Sequence, residues 1–63
     1  MASQEMEATR SRFVSEVQAL ATARGVEIKD LLVRPDSVVK RLLSRASMAG
    51  ATHAIEAAAA KVR

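Results

Sequence analysis

The feature that most constrains the fold is a reversal of the apolar side within residues 35–63. Successive residues of an α-helix lie about 100° apart around its axis. In the first half of this segment the apolar and small residues share one side: Val38, Val39, Leu42, Leu43, Ala46, Ala49 and Gly50. In the second half they share nearly the opposite side: Met48, Ala51, Ile55, Ala58 and Val62. One straight helix therefore cannot bury both sets against a single partner.

Two arrangements of a last helix over about 35–61 satisfy this pattern, and the sequence leaves both open. The helix bends near Gly50, because glycine is a weak point in a helix. Alternatively, the second half packs against another copy of the chain. Met48, Ile55 and Val62 recur every seven residues, as in the seam of a coiled coil. The predicted self-association surface consists of Met48, Ala51, Ile55, Ala58 and Val62.

The rest of the chain predicts two more helices. Over residues 4–24, apolar side chains centred on Phe13 recur at helical spacing, and Gly25 follows as a stop signal. A short helix is expected over 27–33, ended by Pro35. No segment shows the alternating pattern of a strand. The expected fold is all-α, a single domain formed by an antiparallel helical hairpin with a short connecting helix.

The size of the chain predicts that copies associate. At 63 residues a single hydrophobic core is marginal, and the chain has no cysteine and only one histidine. Disulfides are therefore excluded, and one imidazole cannot build a structural metal site. We expect oligomerisation, to a dimer or higher, to complete a helical bundle.

The sequence offers little chemistry for catalysis. Cysteine, tyrosine and tryptophan are absent, and the isolated glycines form no phosphate-binding loop. His53 and Glu56 are three residues apart on one predicted helix, a spacing that is most simply a surface hydrogen bond. We therefore expect no enzyme, no cofactor, no metal and no small-molecule substrate.

Localisation is predicted from the terminal segment and from hydropathy. The first seven residues are polar and acidic, unlike a targeting peptide. No run approaches the roughly 18 apolar residues of a membrane span. These features favour a cytoplasmic protein without membrane contact. The many alanines, and the excess of arginine over lysine, are typical of a GC-rich bacterial or phage genome.

Charge raises a second functional hypothesis. Residues 1–30 carry four basic and five acidic side chains, whereas residues 31–63 carry six and two. The residues that could contact nucleic acid or an acidic partner are Arg34, Lys40, Arg41 and Arg45. The simpler interpretation is a solvated face that keeps a small protein soluble. No aromatic side chain is available to stack on unpaired bases near this patch.

A helix-turn-helix motif is a weaker match. The small residue, the turn glycine and the two apolar residues of such a motif would be Ala21, Gly25, Val26 and Leu31, which have the customary spacing. Arg24, however, stands where such motifs usually bury an apolar residue, and Pro35 stops the second helix after about two turns. The pattern is too loose to assign a family.

These observations favour a small non-enzymatic interaction or assembly module, that is, a self-associating regulator, adaptor or structural subunit. Its partner would be another copy or another helical protein. The alternative is a basic DNA-binding protein, either a transcriptional regulator or a nucleoid-type protein.

Overall fold

The computed structural model describes residues 2–61, with side-chain surroundings given from residue 5 onward. Within that range it contains four helices and no strand: α1 (Ala2–Arg24), α2 (Ile28–Val33), α3 (Ser37–Met48) and α4 (Thr52–Lys61). The all-α prediction is confirmed. No helix in the described part of the chain is both long enough and apolar enough to cross a membrane.

The predicted last helix is broken at Gly50 into α3 and α4. Gly50 adopts a φ of 74°, a left-handed conformation that suits glycine. The Ala51 N–H donates to the Ala46 carbonyl at 2.8 Å, and the Gly50 N–H donates to the Ser47 carbonyl at 3.0 Å. These bonds form a Schellman motif, which satisfies the last carbonyls of α3 and redirects the chain. Of the two arrangements left open by the sequence, the chain adopts the bend.

The same motif ends α1. Gly25 has a φ of 70°, and its N–H donates to the Thr22 carbonyl at 3.1 Å. The Val26 N–H donates to the Ala21 carbonyl at 3.0 Å. Gly25 therefore ends the first helix as its position predicted, by the physical device that recurs at Gly50.

All four helices contribute to one apolar core. Its buried members are Phe13, Val17, Ala21, Ile28, Leu31, Val39, Ala46, Ala51 and Ile55. The most extensive packing joins α1 to α4, the first and last helices. Phe13 is 7% exposed, which confirms its predicted place in the core. No polar or charged residue is buried in the described part of the chain.

Two contacts show that α1 and α3 run antiparallel. Arg24, at the end of α1, forms an ion pair with Asp36, which precedes α3. Arg45, near the end of α3, lies over the ring of Phe13 in the middle of α1. Helix α4 packs against all three of the other helices.

One expected core residue lies at the surface. Val38 is 57% exposed, although the sequence placed it on the buried side of its helix. The reason is that α3 buries a narrow sector centred on Val39 and Ala46. Val38 is rotated by about 100° from Val39, which takes it out of that sector.

Candidate functional site

The structure does not gather the predicted self-association residues on one surface. Ala51 is 0% exposed and Ile55 2%, because α4 folds back and places both in the core of the same chain. Met48 is 87% exposed, and Ala58 is half-buried beside α1. Val62 lies outside the described residues. Ala51 and Ile55 are therefore corrected from an oligomer surface to the protomer's own core.

The predicted basic residues, in contrast, are all exposed. Lys40, Arg41 and Arg45 lie on α3, and Arg34 lies in the turn before it. Over the twelve residues of α3 there is no aspartate or glutamate. The helix is about 18 Å long at 1.5 Å per residue. Its three basic residues lie within the middle part of its solvent side, between positions 40 and 45.

Packing fixes the orientation of this basic side. Val39 and Ala46 are fully buried on the opposite side of α3, and Leu42 and Leu43 are half-buried at its edges. Rotation of α3 about its axis would expose these apolar side chains. The outward side chains are consequently held by a helix whose direction is set by the core.

Arg45 has a second role that Lys40 and Arg41 do not share. Its guanidinium carbon lies 5.7 Å from the centroid of the Phe13 ring, within the range of a cation–π interaction. The aliphatic part of such a side chain also covers apolar surface. Substitution of Arg45 would therefore change packing as well as charge, whereas Lys40 and Arg41 report on charge alone.

The start of α3 is anchored by Asp36. Its Oδ1 accepts a hydrogen bond from the Val39 N–H at 2.9 Å, and its Oδ2 lies 2.6 Å from Nη1 of Arg24. The Val39 hydrogen bond, followed by the Arg24 contact, lowers the pKa of the Asp36 carboxyl. The one carboxylate at the start of the basic helix is thus occupied with capping and with Arg24.

Two open grooves flank α3. The groove toward α1 is lined by Glu16, Leu20, Ser37, Val38, Arg41, Leu42 and Arg45. The groove toward α4 is lined by Leu32, Lys40, Leu43, Ser44, Ser47, Thr52, Ile55 and Glu56. Glu16 and Glu56 are the carboxylates at their rims. In the described part of the chain neither comes within 4.0 Å of a basic side chain on α3.

The single histidine lies away from both the core and α3. The His53 side chain is fully exposed, and its Nδ1 is 3.7 Å from Oε1 of Glu56. That separation exceeds hydrogen-bond length. Among the described residues no group of three or more histidine, cysteine, aspartate or glutamate side chains could hold a metal ion.

The helix-turn-helix spacing predicted around Gly25 ends in an α2 of only six residues. The short helix, its end at Pro35 and the start of the next helix were predicted, and α2, residues 34–36 and α3 follow in that order. Helix α2 packs on α4 and α1 more than on α3. Ser37 and Ser44 were not predicted as site residues, and both are exposed on α3.

Comparison of the chain with protein-family models, with curated proteins and with solved structures finds no match.

Proposed function

We propose that this protein is a small, non-enzymatic helical interaction module whose α3 binds a negatively charged partner. One observation supports the proposal above the others: the outward side of α3 is basic and free of acids, while its inward side is fixed in the core. The backbone of α3 is already ordered by its packing. Binding therefore has to order only the charged side chains and not the segment that carries them.

The sign of the charge also restricts the partner. A symmetric dimer places the same surface of two subunits in contact. Contact between two copies of α3 would therefore set Lys40 and Arg41 against like charges, which is unfavourable. An anionic partner is attracted by the same side chains.

We retain self-association in the proposal, through a surface other than the outward side of α3. The large apolar side chains exposed elsewhere are Met6, Val26 and Val33. The small size of the core continues to favour it. Light scattering over a range of concentrations measures the molar mass, and a monomer mass throughout would remove this part of the proposal.

The test of the α3 face compares two double variants with equal loss of charge. Lys40→Gln with Arg41→Gln alters α3, whereas Lys29→Gln with Lys61→Gln alters exposed positions on α2 and α4. Glutamine is a good helix former, so both variants should stay folded, which circular dichroism checks. The measurement is the salt concentration that elutes each protein from immobilised heparin.

We expect the α3 variant to elute at clearly lower salt than the control variant. The expectation follows because Lys40 and Arg41 are close neighbours on one helix, whereas Lys29 and Lys61 are on different helices. An equal drop in eluting salt concentration for the two variants would show that only net charge determines heparin binding. That result would overturn the proposal that α3 is the binding surface.

A further inference from the structure

We infer that the anionic partner of α3 is duplex DNA, with α3 lying in the major groove. The inference rests on the proposed function and names its partner. It is carried by the arrangement of side chains around α3 and by the absence of surface aromatic side chains in the described part of the chain.

The outward side of α3 has a central strip with a basic residue on each flank. Ser37, Arg41, Ser44 and Met48 follow one another at steps of four, three and four residues, so they lie along one line of the helix. Lys40 and Arg45 are rotated by about 70° to either side of that line. Hydrogen-bonding groups therefore run along the centre from Ser37 to Ser44, the exposed Met48 ends the line, and positive charges stand on both edges.

This arrangement matches the cross-section of a major groove. The floor of the groove presents the hydrogen-bonding edges of the base pairs, and a phosphate backbone runs along each wall. Arginine binds the acceptors of guanine with two hydrogen bonds, and serine donates to bases or phosphates. Arg41 is consequently placed for the base edges, while Lys40 and Arg45 are placed for the two walls.

The dimensions of α3 suit the groove. An α-helix with its side chains is about 10–12 Å across, and the major groove is about 12 Å wide. In helix-turn-helix proteins the second of two helices enters the groove. Here α2 and a three-residue turn precede α3, although α2 packs on α1 and α4 more than on α3. Arg34 lies in that turn, where it can add a phosphate contact.

Other anionic macromolecules fit the surface less well. Single-stranded nucleic acids bind by stacking their bases on aromatic side chains. Aromatic side chains are also enriched, together with arginine, among the residues that dominate protein interfaces. The only aromatic residue of this chain is Phe13, which is buried in the core. Binding to a duplex requires no aromatic side chain, because its phosphates and base edges are bound by charged and polar groups.

The experiment uses fluorescence anisotropy with a labelled mixed-sequence duplex of two helical turns, about 20 base pairs. Three phosphate contacts, from Arg34, Lys40 and Arg45, correspond to a log–log salt slope of about −2.7. Affinity should then fall about 40-fold between roughly 50 and 200 mM salt. In the Lys40→Gln, Arg41→Gln variant the slope should be about −1.8, which is about a tenfold loss over the same range. The Lys29→Gln, Lys61→Gln variant should keep the original slope.

Two further probes test the identity of the partner independently of the location of the binding surface. The same strand without its complement, and poly-L-glutamate, should both bind at least tenfold more weakly than the duplex. Equal binding of either probe, with the same dependence on Lys40 and Arg41, would overturn the duplex inference and leave the α3 proposal standing. Undetectable binding to the duplex at about 50 mM salt would overturn the inference as well. Equal binding by the two double variants on every probe would overturn both the duplex inference and the α3 proposal.

Discussion

Helices α3 and α4 are consecutive and separated by one turn, yet they differ in what they expose. The α3 helix carries three basic residues and no acid, and most of its side chains face solvent. The α4 helix carries Glu56 as well as Lys61, and it buries Ile55 in the same core to which α3 contributes Val39 and Ala46. The difference teaches that a reversal of apolar side can divide one helical sequence into two helices that pack on one core, of which only one presents a basic side without acids.

The largest effect expected from this comparison is that of Ile55→Glu in α4. Ile55 is fully buried, so the substitution removes its packing and places a carboxylate among apolar side chains. The expected loss of stability exceeds about 4 kcal/mol, a large part of the total for a small domain. Thermal unfolding followed by circular dichroism should show an unfolded protein at room temperature or a strongly lowered Tm.

Met48→Glu in α3 is the matched control, since it introduces the same charge at an exposed position. It should change stability by less than about 0.5 kcal/mol. An Ile55→Glu protein that keeps its Tm but loses mass in light scattering would place Ile55 at an interface between copies. The fold described here would then be wrong in α4.

The burial of Ile55 in the core also shows how far sequence reasoning was sufficient. Helical periodicity predicted the helices and the place of Phe13 in the core, because those features depend on local spacing. The same periodicity identified the reversal at Gly50. It could not decide whether Ile55 meets α1 of its own chain or another copy, because both partners would bury the same side chain.

The candidate site was predicted in part for the same reason. The positions of Lys40, Arg41 and Arg45 on one exposed side follow from helical spacing. The contact of Arg45 with Phe13 does not, since it joins residues that are distant in sequence and depends on how α1 and α3 pack. The exposure of Ser37 and Ser44 likewise depends on which side of α3 the core covers.

The second prediction concerns Gly50, at the junction of α3 and α4. Whether its substitution lowers or raises stability distinguishes a bend from a straight helix. Gly50→Ala should destabilise the protein by about 1–2 kcal/mol, because a residue with a Cβ is strained at positive φ. No atom lies within 4 Å of the position that the Cβ would take, so a steric clash adds nothing. Chemical denaturation measures the change in the free energy of unfolding.

A continuous straight helix would give the opposite result. Alanine in a helix interior is about 1 kcal/mol more favourable than glycine, so Gly50→Ala would then stabilise the protein. Gly25→Ala provides a comparison, because Gly25 has a similar φ and equally open surroundings. Similar losses at the two glycines would confirm that both helices end in the same way.

The smallest predicted effect is a pH dependence at the start of α3. The pKa of Asp36 is lowered in the folded protein, chiefly by the Val39 N–H and then by Arg24. The ionised carboxyl therefore stabilises the fold at pH values above its ordinary pKa of about 3.9. That contribution is lost as the pH falls through the lower pKa of the folded state.

The measurement is the difference in Tm between the unmodified protein and Asp36→Ala from pH 7 downward. The difference should be constant above about pH 5 and should shrink below about pH 4. Arg24→Gln should keep most of this pH dependence, because the Val39 hydrogen bond is the larger cause. A difference that does not vary with pH would show that Asp36 does not cap α3 as a carboxylate.

The packing of α1 against α4 has a consequence for the newly made chain. Val14 reaches its final surroundings only when residues as far as Ala58 have been synthesised, because both line the groove between α1 and α4. At translation rates of about 5–20 residues per second, that interval is roughly two to nine seconds. During this time the apolar stripe of α1 is without its main cover. The first helix of this chain therefore waits longer for its partner than it would in a hairpin of adjacent helices.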